Sequence, residues 1–420
     1  MRDLVIESVE FLSRLTLPVR QVMYPTFGPE GPMTEARGRD VLDARLAISA
    51  MQRVLEGWPQ LTALVSIIKS DPTLSAIVLA DRSGKMEERE TWPVAVSMTQ
   101  FLLDYVETVN RPTPIWQEEA FDRLFDIFAK SVRLGGYRMT LWTALYNCYL
   151  SEIPVPIEIS PSVSITEPEG NTHEVLLPTF TLDNPPFGAA RLYIRAEERV
   201  PFHSYPSINT QLASSRVVIG VRLAVGGNAY IRQTRAITEA GSCMTTDAFG
   251  SYRVGHQPFG GVFHADTPSW IRGEDVETLT RLTAAVPKLN DEFPIAVSRF
   301  TSTTERQNPT DRLIDASTGL ENLFLQGTND ELSFRLALRA AWLLGQSANE
   351  RRETFGQLKK VYDSRSRVVH GGVQAPAEPD IVDAAVDSLR RVLRKIAELN
   401  VNPKQLADRL NAVVFGETPL

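Results

Sequence analysis

The chain has 420 residues, of which 43% are hydrophobic and 23% are charged, and these proportions are typical of a globular protein with sizeable cores. Its formal net charge of -7 excludes a protein whose whole surface binds nucleic acid non-specifically, so any contact with RNA must be local. Two widely separated cysteines, Cys148 and Cys243, an acidic start and the lack of a long apolar run predict a cytoplasmic protein with no membrane span.

Residues 1–150 have mostly helical periodicity. Apolar residues recur at spacings of three and four over residues 40–68, 93–109 and 116–132, which predicts helices there. The last segment carries an aromatic stripe. We interpret this stripe as core rather than as a ligand pocket, because aromatic side chains dominate buried area.

Residues 151–270 show the alternation of apolar and polar side chains that predicts a β-rich middle domain. The apolar positions of the predicted strands are Ile157, Ile159, Val163, Ile165, Leu192, Ile194, Val217, Ile219, Val221, Leu223, Ala229 and Ile231. The opposite strand faces would carry Arg191, Tyr193, Arg195, Arg216, Arg222, Tyr230 and Arg232. A charged face is ordinarily solvated, and the alternative is a surface that holds an RNA strand.

Residues 271–420 are helical again and predict an antiparallel bundle with short loops. One helix is expected to run from Asn308 to Leu325, another to end at Gly345, and a third to begin at Ser347 and Glu350, which have the spacing of a capping box. A long helix over residues 380–399 and a short one complete the bundle. The predicted fold is therefore α+β and multidomain, with an α-helical N-terminal region, a β-rich middle domain and an all-α C-terminal bundle.

Charged residues interrupt two apolar stripes of the predicted bundle. Glu321 lies among leucines, and Arg335 and Arg339 lie on the next helix. Since buried charges need partners, we interpret Glu321 as paired with Arg335 or Arg339. The alternative is that Glu321 orients Arg365.

A second charged position falls near the end of the long helix that precedes Gly371. The residues that share one face there are Phe355, Leu358, Val361, Tyr362, Arg365, Val368 and Val369. An inward guanidinium needs a carboxylate, a phosphate or another strong acceptor. His370 falls on the last turn, where the helix dipole favours an imidazolium. This pair fits either phosphate chemistry or an internal salt bridge beside a solvated histidine.

Several blocks between residues 289 and 399 carry a resemblance to a known family. They are Arg299, Glu305-Arg306, Asp311-Arg312-Leu313-Ile314-Asp315, the segments 320–324 and 331–341, and Arg365-Ser366-Arg367-Val368-Val369-His370-Gly371. In this order they resemble the HEPN superfamily, and specifically its Apea-like branch. The signature of that family is an arginine, usually followed by a small polar residue, and then a histidine after four to six intervening residues. Arg365, Ser366 and His370 match it without a gap.

The resemblance implies a metal-independent endoribonuclease that cleaves RNA by attack of the 2′-hydroxyl group. His370 would transfer protons, Arg365 would stabilise the phosphorane charge, and Ser366 would contact the phosphate or hold the histidine. Glu321 and Arg335 would support these residues, with neither a metal nor a cofactor. The resemblance also implies a homodimer, a role in stress or anti-phage defence, and a protein or nucleotide activator sensed by the other regions. The alternative is a non-catalytic HEPN module that binds a nucleotide, RNA or a protein partner.

Overall fold

A computed structural model describes residues 1–14, 17, 19–27, 33–42, 51, 54–79, 91–109, 111, 113–168, 191–202, 207–239, 267–325, 331–370 and 377–414. Helices and strands are mixed, with strands in the middle of the chain and a helical C-terminal region. The chain divides into two compact units. The first unit contains residues 1–144, 162–213 and 233–255, and the second contains residues 145–161, 214–232 and 256–420. The predicted boundaries at residues 150 and 270 stay a prediction.

The first unit begins with a helix, which is followed along the chain by a β-hairpin and further helices. Its elements are α1 (Arg2–Ser13), β1 (Val19–Phe27), β2 (Met33–Leu42), α2 (Pro59–Ser70), α3 (Pro72–Val78), α4 (Thr91–Val109) and α5 (Glu118–Arg133). The strands β1 and β2 pair in antiparallel register, from Val19 opposite Leu42 to Phe27 opposite Met33. The predicted helix over residues 40–68 is therefore wrong at its start, because residue 40 lies in β2; residues 43–50 lie outside the described residues.

The aromatic stripe of α5 is core, as predicted. Phe121, Leu124 and Phe128 are buried against α4, whereas Phe125 at the edge of the stripe is 38% exposed. Tyr105 of α4 is also fully buried, and its hydroxyl group accepts a hydrogen bond from the Gln117 amide at 2.6 Å. The hydroxyl group thereby satisfies a backbone donor just before α5 begins.

The middle of the chain contributes β3 (Gly136–Tyr146), β4 (Cys148–Ser151), β5 (Ile157–Ser160), β6 (Val163–Thr166), β7 (Leu192–Pro201), α6 (Ile208–Val225), β8 (Tyr230–Thr238) and β9 (Ser269–Arg272). Five strands form a sheet in the order β5-β6-β7-β3-β8. The strands β6 and β7 pair in antiparallel fashion, and β4 pairs with β9 in parallel. The strands predicted at residues 157, 163, 192 and 229 are confirmed.

The strand predicted over residues 217–223 is wrong, because these residues lie in α6. The side chains of Val217, Val218 and Val221 are all buried, as is Arg222. A helix that is buried nearly all round lacks a polar face, so its sequence does not show helical periodicity. Arg216 and Arg222 consequently do not belong to any strand face.

The proposed arginine and tyrosine face is also corrected by burial. Tyr193 and Tyr230 are buried, so their rings cannot stack on an RNA base. The Arg191 guanidinium lies 2.6 Å from Glu167, and Arg195 forms an ion pair with Glu197. The side chain of Arg232 lies outside the described residues.

The helical bundle belongs to the second unit. It consists of α7 (Val276–Glu292), α8 (Pro294–Glu305), α9 (Pro309–Phe324), α10 (Leu332–Leu344), α11 (Ala348–His370), α12 (Pro379–Leu399) and α13 (Pro403–Val414). The predicted helix starts are confirmed at two caps: the Asn308 side chain accepts from the Thr310 amide, and the Ser347 hydroxyl group accepts from the Glu350 amide. Thr328 and Glu331 also have the spacing of a capping box, and Thr328 lies outside the described residues. No single helix of the described ranges is long and apolar enough to cross a membrane.

Several charged side chains of the second unit are engaged in contacts within that unit. Asp315 of α9 is buried, and its carboxylate lies 2.7 Å from Arg299 Nη1 and 3.3 Å from Arg306 Nε. Arg222 donates from Nε to the Ala229 carbonyl oxygen at 2.8 Å. Burial lowers the pKa of Arg222 to about 10, partly offset by the nearby Glu305 carboxylate. These groups are engaged within the unit, which indicates a structural role.

Candidate functional site

The helix α11 carries all three residues of the Arg-Ser-x3-His motif. It packs against α10, α9 and α12, and buries Leu358 and Val361 of the predicted stripe. The stripe does not extend to the end of the helix, because Val369 is 46% exposed. The last turn of α11 therefore lies nearer to solvent than the sequence pattern predicts.

The central contact of the candidate site joins α11 to α9. Arg365 Nε lies 3.5 Å from Glu321 Oε1, and Arg365 Nη2 donates to Glu321 Oε2 at 3.5 Å. Both side chains are half-buried, with 23% of Arg365 and 22% of Glu321 exposed. The carboxylate therefore orients the guanidinium group, while part of that group stays accessible to a ligand.

The predicted pair of Glu321 with Arg335 or Arg339 is wrong. Arg339 donates from Nη1 to the Phe324 carbonyl oxygen and from Nη2 to Asn411 Oδ1 at 3.1 Å. Arg335 is exposed on α10. The pKa of Arg339 is lowered mainly by its own burial and to a smaller extent by the positive charge of Arg335. The structure thus pairs Glu321 with Arg365, which is the alternative that the sequence left open. Arg335 forms no ion pair with this carboxylate in the described residues.

Tyr362 is a third member of the site that the motif does not reveal. It precedes Arg365 by three residues on α11, so the two side chains lie on one helix face. Burial raises the pKa of Tyr362, the Glu321 carboxylate raises it further, and Arg365 lowers it. The phenol is therefore protonated at neutral pH and available as a hydrogen-bond donor. Its spacing from Arg365 is the signal that could have identified it.

Two opposing effects act on the pKa of Glu321. Burial raises its pKa, and the positive charge of Arg365 lowers it. The net direction is upward, which shows that desolvation outweighs the ion pair. The Arg365 guanidinium, held by this carboxylate on one side, can donate to a phosphate group with the atoms that stay accessible.

Ser366 and His370 complete the motif along α11. Ser366 is half-buried beside Arg365, and His370 is the last residue of the helix. The His370 side chain and residues 371–376, which include the predicted glycine stop, lie outside the described residues. On a regular helix, positions 365 and 370 are separated by about 140° around the axis and by roughly 7.5 Å along it.

Comparisons with protein-family models, with curated proteins and with solved structures gave no match. Membership of the HEPN superfamily therefore stays a prediction from the sequence blocks. Independently of any family, the site combines a carboxylate-held guanidinium, a protonated phenol and a hydroxyl group on two packed helices. This set of groups suits an anionic ligand, and a phosphodiester in particular.

Proposed function

We propose that this chain is a metal-independent endoribonuclease of the HEPN type. The observation that carries the proposal is the half-buried Arg365, which Glu321 orients without covering it completely. An arginine fixed in this way can bind a phosphate and stabilise added negative charge without a large reorganisation. The complete motif supplies the remaining groups, Ser366 and His370, within five residues of it.

RNA carries its own nucleophile, so the protein needs to move protons and stabilise charge. The 2′-oxygen forms a bond to phosphorus while the bond from phosphorus to the 5′-oxygen breaks. The His370 imidazole accepts the proton of the 2′-hydroxyl group, and a water molecule donates a proton to the departing 5′-oxygen; the resulting hydroxide takes the proton from the imidazolium and restores the neutral histidine. Arg365 neutralises the phosphorane oxygens, with Tyr362 and Ser366 as hydrogen-bond donors. The products are a 2′,3′-cyclic phosphate and a 5′-hydroxyl end.

We further propose that two copies of the chain share the site. The angular separation of positions 365 and 370 places their side chains on different faces of a regular helix. A two-fold axis near the end of α11 would bring Arg365 of one copy opposite His370 of the other, because such an interface is isologous. The other regions of the chain would then recognise the RNA or a protein or nucleotide activator, as in stress or anti-phage defence.

Cleavage of single-stranded RNA in EDTA tests the proposed activity. The purified chain should release fragments with 2′,3′-cyclic phosphate ends, and Arg365→Ala should lower the rate by about a hundredfold or more, since one charge-stabilising donor is worth that much. Arg367→Ala is the matched control, because Arg367 is exposed on the same helix and should cut like the wild type. Equal loss in both variants, or cleavage only with added metal, would contradict the proposed chemistry. RNA binding without cleavage under any condition would favour the non-catalytic alternative.

A further inference from the structure

A concave surface lies at the opposite end of α11 from Arg365. It is a cleft of about 500 Å³ between the end of α10, the start of α11 and the second half of α12. Its volume lies in the range of about 300–1,000 Å³ that is typical of small-molecule sites. Arg351 in this cleft and Arg365 are separated by fourteen residues of one helix, roughly 21 Å, so the cleft does not belong to the candidate site.

The cleft is strongly cationic. Its lining includes Arg351, Arg390, Arg391, Arg394 and Lys395, with Glu398 as the lining carboxylate. These six side chains sum to a formal charge of +4, and the Asp387 carboxylate, which pairs with Arg390 at 2.7 Å, leaves about +3, within a chain whose net charge is -7. Such a local concentration of positive charge in a concave surface attracts anions.

Three of the five cations are held in place by the protein itself. Arg351 donates to the Gly345 carbonyl oxygen at 3.0 Å and lies over the Trp342 ring, 3.8 Å from its centroid. Arg390 and Arg394 donate to the carbonyl oxygens of Leu223 and Ala224 at 3.2 Å and 3.3 Å. The wall of the cleft is therefore preorganised, which reduces the entropic cost of binding.

The other two cations are the ones available to a ligand. Arg391 and Lys395 are four residues apart on α12, so they lie on one face of the helix. Both are half-buried, and neither forms a hydrogen bond or an ion pair with another residue in the described part of the chain. The positive charge of Arg391 contributes to lowering the pKa of exposed Glu350, after the larger effect of the hydrogen bond from the Gln346 amide. Two half-buried cations without an acceptor are best satisfied by a multiply charged anion.

We propose that this cleft binds the polyphosphate chain of a nucleoside triphosphate. Arg391 and Lys395 would contact the phosphate oxygens, while Leu343 and Leu344 supply the apolar part of the wall for the nucleoside, since Arg351 lies over the Trp342 ring. The cleft volume of about 500 Å³ matches a small molecule better than an extended RNA strand. This inference concerns a different surface from the proposed nuclease site and holds whether or not the chain cleaves RNA.

Titration calorimetry with the full chain tests the proposal. The probes are ATP, inorganic tripolyphosphate and a twelve-nucleotide single-stranded RNA, without any cleavage assay. ATP should bind with one-to-one stoichiometry, and Arg391→Glu with Lys395→Glu should weaken it at least about tenfold, which corresponds to ~1.4 kcal/mol. Tripolyphosphate should bind the same residues, and its affinity relative to ATP measures the contribution of the nucleoside.

A matched control carries the same change in net charge outside the cleft. Arg352→Glu with Lys359→Glu alters two exposed residues of α11, and ATP should bind this variant as it binds the wild type. If the charge-reversed cleft variant does not fold by circular dichroism, Arg391→Gln with Lys395→Gln takes its place. Equal weakening in the control, no binding of ATP to the wild type, or RNA binding through these residues without ATP binding would each overturn the proposal.

Discussion

Two opposing effects act on the Glu321 carboxylate: burial raises its pKa, and the positive charge of Arg365 lowers it. A pair that is about one-fifth exposed on each side contributes less to stability than a fully buried one, for which the loss of one partner costs about 3–5 kcal/mol. The contribution of Glu321 should therefore appear mainly in the orientation of Arg365. In the same bundle, Asp315 is fully buried, and a carboxylate in such an environment is primarily structural.

We expect Glu321→Ala to reduce RNA cleavage by about tenfold to a hundredfold, since a misplaced catalytic group costs a factor of that order. Its free energy of unfolding should fall by only about 1 kcal/mol. Glu321→Gln should recover part of the rate, because the amide oxygen still accepts a hydrogen bond from the guanidinium group. Cleavage rates and thermal melts of these variants, with exposed Glu353→Ala as the control, measure both effects. A strongly destabilised Glu321→Ala whose folded fraction cleaves normally would refute the positioning role.

At the residue scale, the sequence predicts the identity of the key groups better than their partners. Arg365 stands out because a charge falls within an apolar stripe, and that anomaly is visible without a structure. The partner of Glu321 is not, because leucine-rich context alone cannot distinguish Arg335, Arg339 and Arg365. Only the packing of α9 against α11 decides among them.

At the scale of elements, α6 shows where periodicity fails. Its β-branched residues favour strands in isolation, and burial on most sides removes the polar face that marks a helix. The bundle helices were predictable because they are amphipathic and carry caps such as Asn308. The tight packing of α6 on α7 depends on Gly220, since a Cβ atom there would lie 3.0 Å from Thr283 Cβ and 3.1 Å from Thr283 Cα.

Two glycine substitutions test this packing. Gly220→Ala should destabilise the second unit by about 1–3 kcal/mol, the usual cost of overpacking a core. Gly356→Ala is the matched control in α11, where a Cβ atom would meet nothing within 4 Å, and it should stabilise by about 0.5–1 kcal/mol. Hydrogen exchange of the α6, α7 and α11 amides reports each change locally. Equal effects at the two positions would show that helix propensity rather than close packing governs Gly220.

At the scale of the whole molecule, the order of helical and strand-containing regions can be predicted from the periodicity of apolar residues in the sequence, whereas the sheet topology cannot. The pairing of β3 between β7 and β8 joins residues far apart along the chain, and periodicity carries no information about such partners. The β1–β2 hairpin was likewise missed. Local sequence patterns carry even less information about the assembly of two copies. The shared site is therefore best tested by measuring RNA cleavage by mixtures of variant chains.

Arg365→Ala and His370→Ala should each abolish cleavage, and mixing the two inactive variants tests whether a site takes one residue from each copy. In a mixed dimer, one site would hold intact Arg365 and intact His370, while the other would hold both substitutions. With free exchange of an equal mixture, half of the dimers are mixed, so activity should return to about one quarter of the wild-type value for an isologous pair. Arg365→Ala mixed with the double variant is the control and should stay inactive, because no combination restores a site. Either of two results would rule out the shared site. One is that activity does not return although mass spectrometry verifies the exchange of subunits, and the other is full activity from a monomer.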